Sequence, residues 1–253
     1  MKIQSDYNTI YSDDHIVVLS KRSGLLVASD RYDLDAPRLD DLASKEFGKL
    51  YAVHRIDKDT SGLVIYGRTP EAHRVLSMAF ENREVHKVYH TLVHGRPSWD
   101  ELQVDLPLQA DGDARHRTVV NKRFGKTAVT HFKVLATTGS FSWIEAKPIT
   151  GRTHQIRVHL AANGLNIVCD PLYSGNQKAI KLSDIKRSWR GDVFEERPLL
   201  DRLGLHAYKL SLAHPITGEQ MEFTAPYYKD MDSVRKQLCK LFKVPDFLLL
   251  ENE

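Results

Sequence analysis

The stretch His54-Arg55-Ile56-Asp57-Lys58-Asp59-Thr60-Ser61-Gly62-Leu63 puts ten residues of dense polar chemistry at one corner of the chain. Tyr51, Ala52 and Val53 precede it, and Leu63, Val64, Ile65 and Tyr66 close it, all of them strand-like. The spacing predicts Asp57 on a loop between two strand ends, where a rigid scaffold holds reactive groups. As local chemistry, the same residues also make an ordinary solvated turn. In that reading Asp57, Asp59, Thr60 and Ser61 accept backbone amides, and Gly62 supplies a positive φ.

Working outward, Ile10-Tyr11 and Ile16-Val17-Val18-Leu19 flank Ser12-Asp13-Asp14, a predicted hairpin. That region runs from Thr9 to Ser29 and includes the loop Lys21-Arg22-Ser23-Gly24. Leu39, Leu42, Ala43 and Phe47 recur at helical spacing. Thr69 as N-cap and Pro70 in the first turn predict a helix whose apolar stripe is Ala72, Val75, Leu76, Ala79 and Phe80. Period-two patterning from Lys87 to Gly95 puts Tyr89 on a strand, which by itself is also the pattern of a half-buried strand tyrosine. Strands are expected over 102–108, 116–121, 128–137 and 141–149, with short polar connections that favour antiparallel pairing. Thr153 is expected to cap a helix through Ala162, with Ile156 and Leu160 in the core and Arg157 turned about 100° toward a flank. His214 to Gly218 reads as a hairpin turn between two further strands, and Val234, Leu238, Leu241 and Phe242 as a closing amphipathic helix. The expected class is α+β: one domain over 1–253, a mostly antiparallel mixed sheet flanked by helices.

With 253 residues, 42% hydrophobic and 27% charged, the chain is of a size and composition that buries a substantial core. No run approaches the roughly 18 apolar residues of a membrane span, and the opening residues carry no signal-like stretch, so a cytoplasmic protein is expected. Cys169 and Cys239 fit reduced thiols rather than a disulfide framework or a zinc module. The net charge of +3 says little, but its distribution says more. Between Ala114 and Cys169 one acid, Glu145, faces nine lysines and arginines, the composition of a phosphate-attracting surface.

The central stretch resembles the HRLD-x-x-TSGL signature of the RluA-like RNA pseudouridine synthases, with Ile56 in place of the usual leucine. Lys87-Val88-Tyr89 resembles the family's K-x-Y element, and Thr150 to Leu160 its TGR-[ST]-HQ-[IL]-R-x-H run. Asp170-Pro171-Leu172-Tyr173 and Leu205-His206-Ala207 match two later landmarks in the same order. The resemblance, from Lys21 to Pro226, implies the pseudouridine synthase fold and isomerisation of uridine in ribosomal or transfer RNA, by a monomer without a cofactor. It assigns Asp57 as nucleophile, Tyr89 as the stacking residue with a possible hand in removing the C5 proton, and Arg157 as the partner of Asp57. Arg55 would fill the space left by a flipped base and Leu205 would lie against the ring. Arg152 and His154 join the substrate-binding set, and Lys21 and Asp170 support it from behind. The chain departs from the family at Arg22, where a proline would stiffen the loop, and at Cys169, where relatives carry glycine; the substitution implies a turn that avoids positive φ. Because the catalytic pattern begins almost at residue 10, a member without the S4-type RNA-binding module that precedes many relatives is expected.

The segment from Ser174 to Gly204 is longer than the family usually has here and reads as an insertion mixing seven lysines and arginines with five acids and Trp189. Competing classes fit less well. His54, His154 and His159 near Asp57 and Asp170 raise a metallohydrolase reading, but His154 and His159 are five apart rather than four and no HExxH occurs, so no metal site is expected. His-Arg-Ile-Asp lacks the companion motifs of a kinase. The alternative that remains is a catalytically silent RNA-binding or RNA-folding protein on the same fold, against which Asp57, Tyr89 and Arg157 argue.

Overall fold

The structure, a computed structural model, describes residues 6–28, 36–175 and 178–250. Ser29 of the hairpin region and Asn176 and Gln177 of the insertion lie outside the described residues. The first half of the chain runs β1 (Tyr7–Ser12), β2 (Ile16–Lys21), α1 (Leu39–Phe47), β3 (Tyr51–Ala52), β4 (Ser61–Gly67), α2 (Pro70–Glu81) and β5 (His86–His94). Then come β6 (Glu101–Asp105), β7 (Leu108–Gln109), β8 (Val119–Val120), β9 (Val129–Thr138), β10 (Phe141–Pro148) and α3 (Gln155–Ala162). The last part is α4 (Leu182–Ile185), β11 (Leu205–Ala213), β12 (Gln220–Thr224), α5 (Lys229–Phe242) and α6 (Phe247–Leu250). The class is α+β, with strands that pair mostly antiparallel, while β4 runs parallel to β11. The chain falls into two compact units, Met1–Tyr89 with His206–Pro226, and His90–Leu205 with Tyr227–Glu253.

In the first unit the β1–β2 hairpin turns at Asp13, whose carboxylate accepts the amides of His15 and Ile16, both at 2.8 Å. β2 lies antiparallel to β4, and β11 to β12. Every residue of β2 and β4 is buried, so the two strands read as continuous apolar runs rather than as an alternation. Alternate residues then serve opposite faces. Ile16, Val18, Leu63 and Ile65 pack with Ala72 and Leu76 of α2, while Val17, Leu19, Val64 and Tyr66 pack with Leu39 and Ala43 of α1. The helix at Thr69-Pro70 forms as expected: Thr69 Oγ1 accepts the Ala72 amide at 3.1 Å and Pro70 occupies the first turn.

In the second unit β10 runs antiparallel to β9, and β9 to β6. Leu92, Trp143, Val168, Met231, Val234, Leu238 and Phe247 form the main core. Three expectations are corrected here. The strand expected over 116–121 is only Val119–Val120, paired with Leu108 and Gln109, because the residues before it spend their amides on Asp113 and Tyr173. The closing amphipathic helix forms as α5 and buries Val234 and Leu238 as expected, but Phe242, placed on its apolar stripe by the spacing, is 42% exposed, its ring lying over Gly139 where a Cβ would come within 2.3 Å of it. The third concerns α3: Thr153 is not its cap, since the helix starts at Gln155 after His154 in the left-handed region at φ 54°.

Candidate active site

Asp57 sits on the turn between β3 and β4, closed by the Thr60 amide donating to the Asp57 carbonyl at 3.1 Å. The Lys21–Gly24 loop clamps that turn. Gly24 N–H donates to Lys58 O at 2.9 Å and Ser23 Oγ to Asp59 O at 2.6 Å. Lys21, fully buried, gives its three ammonium protons to the carbonyls of Arg22, Leu25 and Lys58 at 3.0, 2.7 and 2.9 Å. These bonds, and Arg22 N–H to Asp6 O at 3.0 Å, hold the loop that lacks the family proline. Gly62 is needed at the turn's exit. Its φ is 109°, and a Cβ there would lie 2.2 Å from the Ala207 carbonyl oxygen, because β11 pairs at Ser61–His206 and Gly62–Ala207.

His54 is a brace. Its ring stacks on Phe80 at 4.5 Å and its Nε2 accepts the Ile65 amide at 3.0 Å. Burial, helped by the Lys87 charge, pushes its pKa down to about 3, so the ring is neutral at physiological pH. Tyr89 lies on β5 as expected, and burial followed by the Asp57 charge holds its phenol well above the usual value. A neutral phenol suits stacking and hydrogen-bond donation; a phenolate base at C5 would have to form against both effects. Arg55 is exposed at the surface of the turn.

In the second unit α3 buries every residue from Gln155 to Leu160, so Arg157 lies in the interior rather than on the expected flank. The structure gives Arg157 a partner the resemblance did not. Its Nε and Nη2 donate to Asp170 Oδ2 and Oδ1, each at 2.8 Å, and the guanidinium stands 5.1 Å from the centre of the Tyr173 ring. Asp170 Oδ1 also accepts the amides of Leu172 and Tyr173 at 2.8 and 3.1 Å. Burial alone would raise its pKa, but Arg157 and these amides overcome it and hold the carboxyl below its ordinary value. Cys169 corrects another expectation: it adopts φ 56°, the conformation glycine would have taken. Its thiol points at Lys178 O and Leu200 O at 3.4 and 3.6 Å, and burial pushes its pKa up to about 11, so it is an inert thiol. Leu205 is buried at the start of β11.

Four matches stand beside this geometry. The sequence profile described as RNA pseudouridylate synthase covers residues 15–162. The dual-specificity RNA pseudouridine synthase RluA of Escherichia coli K12 is 35% identical over 218 residues, 86% of this chain and 91% of that protein. The chain belongs to the RluA-like RNA pseudouridine synthases. Ribosomal large subunit pseudouridine synthase D of Zymomonas mobilis is 33% identical over 239 residues, covering 90% of this chain and 72% of that one. The solved structure of human RNA pseudouridylate synthase domain containing 4 has the same fold, with a TM-score of 0.69 at 24% identity over 91% of this chain and 92% of its own. The enzyme class is therefore isomerase.

Two residues of this pseudouridine synthase that organise the second unit's site went unmarked in the sequence. Gln155 Oε1 accepts Thr150 Oγ1 at 2.7 Å and the Arg152 amide at 3.0 Å, while its Nε2 donates to Val129 O and Thr130 Oγ1, both at 2.9 Å. Tyr173 takes the Thr118 amide and donates its one proton to Thr118 O, both at 3.0 Å, so His154 Nδ1, also at 3.0 Å, is the donor to the phenol oxygen. Both residues stand inside motifs quoted above, which is the one signal that marked them. His159 is spent on Thr130 Oγ1 at 2.9 Å and Leu106 O at 3.1 Å. Among the described residues no three His, Cys, Asp or Glu side chains gather as a ligand set, and no helix is long and apolar enough to cross a membrane.

Proposed function

We propose that this chain converts particular uridines of ribosomal or transfer RNA to pseudouridine with Asp57 as the nucleophile. The observation that carries the reading is the mounting of Asp57. It stands on a turn fixed by Lys21, Ser23 and Gly24, next in effect to Tyr89, whose phenol feels its charge. The relatives' names support RNA as the substrate: the Escherichia coli relative is called a dual-specificity RNA pseudouridine synthase and the Zymomonas one a ribosomal large subunit pseudouridine synthase.

The reaction is redox-neutral. The Asp57 carboxylate attacks either C1′ of the ribose or C6 of the ring, the N1–C1′ bond breaks with its electron pair on the base, and the base turns to offer C5. C5 then bonds to C1′, Asp57 leaving as its carboxylate from C1′ in that displacement or from C6 by elimination, while the proton on C5 leaves and N1 takes one up; Asp57 is regenerated and no cofactor is consumed. Reaching a base in folded RNA requires its extrusion, with Tyr89 and Leu205 against the ring and Arg55 in the vacated space. By the family resemblance Arg152 and His154 bind substrate and Arg157 partners Asp57, with Lys21 and Asp170 as supporting residues.

Asp57→Asn keeps the shape and removes the nucleophile. It should abolish pseudouridine formation in RNA purified from a strain lacking this protein, read by mass spectrometry of nucleosides, while RNA affinity stays within about threefold of wild type. Turnover by the variant at the wild-type rate would remove Asp57 from this role; a silent RNA-folding protein would leave both forms without turnover.

A further inference from the structure

The turn from Asn121 to Lys126 in the second unit is built as a rigid projection. Asn121 Oδ1 accepts the amides of Arg123 and Phe124 at 2.9 and 3.0 Å, and Gly125 N–H donates to Asn121 O at 2.9 Å. Lys126 and Leu108 exchange two backbone hydrogen bonds at 2.8 and 2.9 Å. Gly125 is packed so that a Cβ would fall 2.4 Å from Asn121 O and 2.7 Å from the Pro107 carbonyl carbon. On this frame Phe124 is 67% exposed, with the Arg123 guanidinium 4.9 Å from its ring centre.

A single exposed phenylalanine is unremarkable on a protein surface. This one lies among Lys122, Arg123 and Lys126, all exposed and none with a carboxylate partner among the described residues. The one acid between Ala114 and Cys169, Glu145, is itself paired with Lys147 at 2.6 Å. Both ends of the turn are fastened to residues of the candidate site. On the entering side Thr118 is bonded through its amide and carbonyl to Tyr173, and on the leaving side Arg152 Nε donates to Thr127 O at 3.1 Å. An apolar ring flanked by unpaired cations matches a single-stranded nucleotide, whose base offers a π face and whose neighbouring phosphates offer negative charge. By contrast, the fully exposed Phe194 of the insertion has Asp192, Glu195 and Glu196 as its nearest charged neighbours in sequence, a poorer match to phosphate.

We infer that the Asn121–Lys126 turn is an RNA-gripping element in which Phe124 stacks on an unpaired base flanking the target uridine and Lys122, Arg123 and Lys126 hold the adjacent phosphates. The inference rests on the reading of the chain as an enzyme acting on RNA and names where it holds that substrate outside the reacting group.

The test uses the full chain and a fluorescent stem-loop oligoribonucleotide with a seven-residue, uridine-containing loop, beside the same sequence closed into a fully paired duplex. Phe124→Ser should weaken stem-loop binding roughly tenfold and leave duplex binding unchanged, with Phe124→Trp restoring affinity. Replacing Lys122, Arg123 and Lys126 together by serine should flatten the slope of log affinity against log salt by about 2. Thermal melting of each variant within a few degrees of wild type shows that the fold is kept, as the exposure of all four side chains requires. Unchanged affinity and slope in folded variants overturn the inference, whether or not the wild-type protein makes pseudouridine. Equal losses on stem-loop and duplex also overturn it, since they place the turn on a paired helix. Failure of the wild-type protein to modify RNA, with the Phe124 effect intact, overturns the function and leaves the grip standing.

Discussion

Arg157 and Asp170 are thirteen residues apart, and no spacing rule joins them, because the turn through Leu165 and Ile167 that brings them together is set by packing. The pair makes a linkage prediction. Asp170 is held below its ordinary value in the folded protein, so the unfolded chain binds the proton more readily. Its stabilising effect is therefore complete above about pH 4, the unfolded carboxyl's range, and is lost as pH falls through the folded value. Asp170→Asn leaves Arg157 buried opposite an amide and should cost about 3–5 kcal/mol at pH 7 by urea unfolding. The wild type should lose stability more steeply than the variant below pH 4, and parallel curves would show that another carboxylate dominates. Asp57 and Tyr89 were singled out because each falls in a short contiguous motif. The positive φ of Cys169 was not, since a cysteine gives no sign that its thiol is tied to Lys178 O and Leu200 O while its backbone takes the place of a glycine.

Elements with strong local signals form as their patterns imply. Thr69-Pro70 starts α2, Asp13 turns the first hairpin, and His214 to Gly218 turns the last. Elements decided by burial were harder to read. α3 is buried all round from Gln155 to Leu160, so it offers no polar face from which to phase Arg157, and its start at a left-handed His154 mimics no capping rule. The predicted insertion closes on itself: Ile180 and Leu200 pair across its base and both are buried, and Ser183 bonds to Glu196. Trp189 is half-buried, its ring over Gly191 where a Cβ would come within 2.5 Å, so it is less available for stacking than its sequence setting suggests. Lys186, Arg187 and Arg190 remain as the segment's contribution. Replacing all three by alanine should weaken binding of folded RNA and reduce the salt slope by about 2, with the single-turnover rate of bound RNA unchanged. An unaltered slope would make the segment a structural cap over Cys169 and Leu200.

For the whole molecule, the class and the motif order were readable, but the interleaving of two compact units was not. Contacts between residues far apart in sequence leave no local trace, and the parallel step from β4 to β11 spans more than 140 positions of chain. Each unit is assembled from two separated segments, and that has a consequence for a ribosome making the protein. When Gly204 emerges, the first unit still lacks β11 and β12, so the main-chain groups at Ser61 and Gly62 that pair with His206 and Ala207 have nothing to bond to. A chain truncated after Gly204 should be digested by a nonspecific protease at least about tenfold faster than the full chain at equal concentration, and equal resistance would show that the amino-terminal segment completes itself. Synthesis thus imposes a waiting period: the turn that aims Asp57 is secured only once β11, more than 140 residues further along the chain, has been translated.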